Sequence, residues 1–411
     1  VWLVVQDHIN PDLLFIGTEF GVFFSINSGK LWTKLKGNVP NIAFRDLVIQ
    51  KRENDLIGAT FGRSIYILDD YSPLRKISEE TLKNEITLFP VRKTHWYVPK
   101  RPHSCVSVGC VDSQGDSYYV APNPPFGATF SYYLPETLDS LKDRRRKSEK
   151  EDEKENKDIV IPDWERLTEE ELEDKPAIIF SVKDANNNIV RYIEGATEAG
   201  FNRTTWDLRY PVVNPWIPAE QRNTNGGSLG VLVAPGTFQV SMHKRIDGKL
   251  IDLNLKEFFE VVSIRTPTLP GSSQHQRVVF SQQVNEMRRA AEGTIKVVGN
   301  IIEELESIKE ILSFSTADMS LYEKANSLKK KIQMEHYRLS GNRTKNSLGV
   351  LAPLSVKSRL SYASYNPSRN AYGPTKTERD SLMIANDLYN EISTHLTFLI
   401  DQEYENLKKS L

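Results

Sequence analysis

The chain has 411 residues, too many for one ordinary domain, so two or three are expected. Its 53 basic and 54 acidic residues leave a net charge of −1, and no global field draws such a chain to nucleic acid or to an anionic membrane. Hydrophobic residues make up 39%, a globular proportion, and no apolar run approaches the ~18 residues of a membrane helix.

Residues 1–72 read as strands throughout. "WLVVQD", "LLFIGTE", "GVFFSIN", "LWTKLKG", "FRDLVIQK", "DLIGATFG" and "SIYILDD" are short and rich in β-branched and aromatic residues. Turn signals such as Asn10-Pro11-Asp12, Ser28-Gly29 and Glu53-Asn54-Asp55 separate them, the spacing of antiparallel strands joined by tight turns. "LLFIGTEFGVFFS" and "DLIGATFGRSIYILD" echo one another, and two similar units in succession predict propeller blades. Val1 opens directly into "VWLVV", with no initiator Met and no signal peptide. A chain that starts in mid-strand is expected to belong to something longer, with any export signal upstream.

Within that region "SINSGKLW" places Ser25, Asn27, Gly29 and Trp32 at one corner. The Ser and Asn side chains can bond backbone groups of their own turn, Gly29 can take a positive φ, and Trp32 can plug the hairpin from beneath. This is the chemistry of a rigid turn.

Residues 73–104 read as a linker. Ser78 is placed to cap a short helix, and prolines at 90, 99 and 102 then keep the chain extended. Residues 105–270 predict an antiparallel β-sandwich of fibronectin/Ig-like type, through "DSYYVAPNPPFGATFSYYL", "AIIFSVKD", "NIVRYIEG", "NRTTWDLRYP", "GTFQVSMHKR" and "KEFFEVVSI". Trp206 is its expected core anchor. A charged insert, 138–175, interrupts it and carries an apolar patch at Ile159, Ile161 and Trp164. Two readings stay open for the insert: a solvated excursion, or an arm whose patch docks on a partner.

Residues 271–411 switch to helical periodicity. Val284, Met287, Ala291, Ile295, Val298, Ile302 and Leu305 recur at threes and fours after a cap at Ser281. A second helix runs through Leu321, Ala325, Leu328 and Ile332, and a third, capped at Thr377, through Leu382, Ala385, Leu388, Ile392 and Leu396. Residues 341–376 are expected to be mostly loop. Three such stripes predict a small bundle, with oligomerisation through this tail as the alternative use of the same faces.

"SINSGKLW" resembles the Asp-box of bacterial neuraminidase repeats, with Asn27 in the usual Asp position. With "FRDLVIQKRENDLIGATFGRSIYILDD", "PNPPFGATFSYYL", "IPDWERL", "GFNRTTWDLRYP", "APGTF" and "GPTKTERDSL", the chain is similar to the C-terminal part of secreted BNR-repeat, sortilin/VPS10-like propeller proteins of Bacteroidetes type. The resemblance implies a multidomain protein: terminal propeller blades, a β-sandwich and a helical tail. It implies an extracytoplasmic location, Asp-box residues away from the ligand face, and upstream blades as partners within the same protein. A non-catalytic protein recognising a protein or glycan is the first functional expectation. A glycoside hydrolase with its active site in blades outside this chain is the second.

Candidate catalytic residues are few. Asp69 and Asp70 are adjacent, so on a regular strand they face opposite ways and cannot flank one glycosidic bond. Glu19 and Asp46 are acidic residues that the sequence alone cannot orient. The seven histidines form no HExxH motif, and neither GxSxG nor a phosphate loop occurs. Cys105 and Cys110 are too few for a disulfide framework, and their pairing with each other stays open. With His103 they lack a fourth ligand and a recognised spacing, so no metal or other cofactor is expected. Asn202 and Asn342 open glycosylation sequons that matter only in a eukaryotic secretory setting.

Overall fold

The computed structural model describes residues 1–78, 86–99, 123–159, 161–212, 230–266, 268, 270–365 and 372–411. The strand expected at "DSYYV", the body of the helix after Ser78, and the questions over His103, Cys105 and Cys110 lie outside the described residues. The protein is a mixture of several sheets and of helices, and it divides into two compact units. One comprises Val1–His95, Ala121–Asp207 and Gly236–Val262; the other comprises Trp96–Val120, Leu208–Pro235 and Ser263–Leu411.

The first unit opens with two small antiparallel meanders. β1 (Leu3–Gln6), β2 (Leu14–Thr18), β3 (Gly21–Ser25) and β4 (Thr33–Lys34) lie side by side in chain order. β5 (Phe44–Gln50), β6 (Asp55–Thr60) and β7 (Ile65–Leu68) repeat the arrangement. The two sequence echoes are thus two hairpins, β2–β3 and β6–β7. Alternation puts Phe15 and Val22 of one sheet against Phe44, Leu47 and Leu56 of the other, with Leu13 and Tyr71 completing a shared core. The approach is close. A Cβ on Gly17 would stand 2.6 Å from the Phe44 carbonyl oxygen, and one on Gly58 would stand 2.7 Å from the Phe44 ring.

The remaining strands are β8 (Thr87–Leu88), β9 (Thr94–Trp96), β10 (Ala128–Leu134), β11 (Ala177–Asp184), β12 (Ile189–Gly195), β13 (Gly200–Trp206), β14 (Gly236–Ile246) and β15 (Lys249–Ser263). They make a three-stranded sheet, β13-β10-β8, and a five-stranded sheet, β12-β11-β14-β15-β9. Aromatic rings from both sheets meet. Phe130 lies 5.6 Å from Phe180 and 5.7 Å from Phe259, and Trp206, 1% exposed, lies 5.2 Å from Phe238. Tyr132 donates to the Ala196 carbonyl at 2.7 Å, and burial pushes its phenol up to about 12. The charged insert forms α1 (Leu141–Lys154) and α2 (Trp164–Leu172), capped by Ser140 and Asp163.

In the second unit the tail forms α3 (Gln274–Ser313), α4 (Met319–Ser340), α5 (Arg343–Ser347), α6 (Val356–Tyr365) and α7 (Lys376–Phe398). A π turn over Leu399–Tyr404 leads from α7 into α8 (Glu405–Ser410). Two starts differ from expectation. α3 begins at a capping box of Ser273 with Gln276, and α7 at one of Thr375 with Glu378, both ahead of Ser281 and Thr377. Reciprocal capping satisfies backbone donors before the apolar stripe starts, so the stripe alone dates the helix late. The expected loop 341–376 contains α5 and α6, and Val356, Leu360 and Ala363 of α6 are buried. Leu305, Leu328, Ile332, Leu339, Leu360, Ile392 and Leu396 belong to one apolar cluster.

Candidate functional site

The Ser25–Trp32 corner consumes its own polar groups. Ser25, 1% exposed, accepts from the Gly29 amide at 2.9 Å and donates to Asn27 Oδ1 at 3.0 Å. The Asn27 oxygen also accepts from the Leu31 amide at 2.9 Å. Gly29 sits at φ +84, where a Cβ would touch the Trp32 ring at 3.4 Å. The neighbouring β1–β2 turn joins the same corner, because the Ser28 amide donates to the Asp12 carbonyl at 3.0 Å.

In an antiparallel meander alternate turns fall at opposite ends. The β2–β3 turn therefore lies at the end of the sheet away from that corner. There the Thr18 hydroxyl donates to the Gly21 carbonyl at 2.9 Å and accepts from the Phe20 amide at 3.1 Å, leaving Phe20 65% exposed at the tip. The second hairpin repeats the device. Thr60 donates to the Ser64 carbonyl at 2.7 Å, and Phe61 next to it is 69% exposed. The Trp2 amide donates to the Gly17 carbonyl at 2.8 Å, which holds Trp2 at this same end of the first sheet.

Arg45, at the start of β5, joins the two sheets here. Its guanidinium lies 3.5 Å from the Trp2 ring centre and 5.4 Å from that of Phe61. Glu19 stands 3.9 Å away, a loose ion pair between side chains that are 41% and 52% exposed. Trp2, Arg45, Phe61, Phe20 and Glu19 thus make a rim of aromatic and charged groups facing water. The echo "TEFG…ATFG" carries this signal, since it places a Phe beside a turn Gly twice. Read as strand residues, the two phenylalanines give no hint of a surface role, and the contact of Trp2 with Arg45 depends on the pairing of two sheets.

The other acidic candidates are Asp69, Asp70 and Asp46. Asp70 (φ 43) accepts from the Ser72 hydroxyl at 2.6 Å and from its amide at 3.3 Å. Burial, with Asp55 nearby, raises the pKa of Asp69. The backbone carbonyls of Asp69 and Asp70 accept from Arg203 at 2.7 and 2.6 Å. Asp46 is exposed beside a register shift in β5.

One constellation was not foreseen. Ser181 of β11 lies 2.9 Å from His243 Nε2 of β14, and His243 Nδ1 lies 3.7 Å from Asp252 of β15. The order is that of a nucleophile, base and orienting carboxylate. Two facts stop it there. Ser181 is 3% exposed, so no substrate reaches its hydroxyl, and 3.7 Å exceeds a hydrogen bond.

The most buried ionic cluster joins the first strand to the turn after β7. Asp7, 4% exposed, accepts from Tyr71 at 2.5 Å and from Arg75 through two bonds of 2.8 Å. Burial alone would raise the Asp7 carboxyl, but the bonds from Arg75 and Tyr71 outweigh it and hold the group far below the usual carboxylate range. Burial and the same carboxylate push the Tyr71 phenol up. This cluster fastens two segments and leaves no open position.

Of the insert patch, Ile159 is 49%, Ile161 87% and Trp164 84% exposed, and Leu172, which sequence reading passed over, is 78% exposed. Among the described residues no group of three His, Cys, Asp or Glu side chains is placed to hold a metal ion. No helix among them is long and apolar enough to cross a membrane. Neither a family model nor a curated protein matches the chain.

Proposed function

We propose that this chain is a binding and scaffolding portion of an exported or cell-surface propeller protein of the BNR/Asp-box type. Its first two sheets are blades, its second pair of sheets is a fibronectin/Ig-like sandwich, and its helical tail supports assembly. The blade reading is supported by a second apolar face. On β5–β7, Val48 pairs with Ile57 and Ile57 with Ile67, all turned away from the shared core. Val48, Ile65 and Ile67 are 53%, 62% and 59% exposed. A sheet that is apolar on both sides is made to be covered on both, and a further blade of the same protein is the occupant proposed for this face.

The observation that carries the binding reading is the Trp2–Arg45–Phe61 stack, with Phe20 beside it, at the end of the blades opposite the Asp-box corner. Trp and Arg dominate the energetics of protein interfaces, and a guanidinium held between rings loses little freedom on binding. Arg45 covers one face of the Trp2 indole, which leaves at most the other face to a sugar ring and favours a protein over a glycan.

The test compares the parent with an Arg45→Ala/Phe61→Ala variant, incubated with cell-surface protein fractions and with a glycan panel. Capture of a protein by the parent and its loss in the variant is expected. Glycan retention abolished by the variant would move the reading to a lectin-like role. Released sugar would replace it by the hydrolase alternative, and identical behaviour of both proteins would remove the rim from the account.

A further inference from the structure

The insert is a helical hairpin whose inner seam is ionic. Arg145 of α1 bonds both carboxylate oxygens of Glu170 on α2, at 2.6 and 2.8 Å, and reaches Glu149 at 2.6 Å. The Glu170 and Arg145 side chains are only 4% and 17% exposed. At the base, Glu173 accepts from the Leu141 amide at 2.8 Å. Neither helix buries an apolar residue.

Two helices that needed apolar contact to stay together would turn their apolar side chains inward. This hairpin keeps only Leu167 half-buried, one turn before Glu170, and leaves Trp164 and Leu172 turned to water. Trp164, Thr168 and Leu172 follow one another at intervals of four along one face of α2, and Ile161, just before the Asp163 cap, is exposed as well. Thr168 spends its hydroxyl on the Trp164 carbonyl at 2.7 Å, so it offers its methyl group outward. Helical geometry sets Glu171 on one side of this line and Glu165 and Glu169 on the other, all three exposed. From Asp163 to Asp174 Arg166 is the sole basic residue, and it falls on the opposite side of the helix.

An apolar ridge walled by carboxylates is repelled by anionic lipid and by nucleic acid, and it matches an apolar groove rimmed by Lys and Arg. We infer that α2 is a docking helix, and that its occupant is a protein whose groove is apolar at the floor and basic at the rim. The surface shares no residue with the Trp2–Arg45–Phe61 rim, so the two sites stand or fall separately.

The test uses the whole chain and two synthetic amphipathic helical peptides with one apolar stripe, flanked by Lys in the first and by Glu in the second. The Lys-flanked peptide is expected to bind about tenfold tighter or more, and to weaken as salt is added. A Trp164→Ala/Leu172→Asp variant loses that binding while keeping the parent's melting midpoint, because neither side chain packs in a core. Replacing Glu165, Glu169 and Glu171 by Lys reverses the preference between the peptides. Absence of binding, equal binding of both peptides, or indifference to these variants overturns the inference. So does self-association through this stripe, or Trp164-dependent binding to vesicles of phosphatidylcholine and phosphatidylglycerol.

Discussion

Asp7 illustrates how much one side chain can fix when its partners come from far along the chain. Its carboxylate has 0% exposed side-chain surface and faces an Arg75 side chain that is 11% exposed. Asp7→Asn keeps the shape but leaves a buried guanidinium short of its counter-charge, so unfolding free energy should fall by about 3–5 kcal/mol in urea titrations. Tyr71→Phe removes one bond to a charged group and should cost about 1.5–3 kcal/mol. The pH dependence has a definite sign. The native carboxyl binds its proton more weakly than the unfolded one, whose pKa is 3.8. Its contribution is therefore complete above that value and fades as pH falls below it, a slope that Asp7→Asn should abolish. The Ser25–Trp32 corner gives a contrasting case. Asn27→Asp keeps the oxygen that serves Ser25 and Leu31 and should be near neutral, whereas Asn27→Ala should cost about 1 kcal/mol.

Among the elements, what could be read from sequence follows from the range of the signal. Strands 1–72 and the long helices were legible because period two and period 3.6 are written into neighbouring residues. α6 was not, because its apolar residues Val356, Leu360 and Ala363 fill only two turns and follow an apolar, proline-containing run, Val350–Leu354, that blurs their spacing. Its burial comes from packing on helices that are distant in sequence, which periodicity cannot see. Leu360, 1% exposed, gives the check: Leu360→Ala should destabilise by about 2–5 kcal/mol if α6 is core, and by almost nothing if the segment were loop. The candidate rim divides in the same way. Phe20 and Phe61 were present in a visible echo, whereas the Trp2–Arg45 stack exists only once two sheets are paired. Leu172 escaped notice for a third reason, since it lies two turns from Trp164 and only a helix brings them into line.

At the scale of the whole molecule, the β5–β7 sheet leaves an apolar face open to water. Among the described residues β7 is an edge strand of its sheet, and Ile65 and Ile67 on it are more than half exposed beside Val48. Burying such side chains is worth about 1.5–3 kcal/mol each, so water is a poor neighbour for this face and another sheet is a good one. In the chain by itself, these side chains contribute little to folding and much to stickiness. Val48→Thr with Ile67→Lys should therefore leave the urea midpoint within about 0.5 kcal/mol of the parent, as expected of exposed positions. The same double variant should lower concentration-dependent light scattering. A covering blade would reverse the balance, because the introduced ammonium group would then be driven into an apolar seam. In a longer protein that carries such a blade the double change should cost several kcal/mol and expose the hairpin to protease. A loss of that size in the chain alone would instead mean that Val48 and Ile67 already belong to its core, and the blade reading would fall with it.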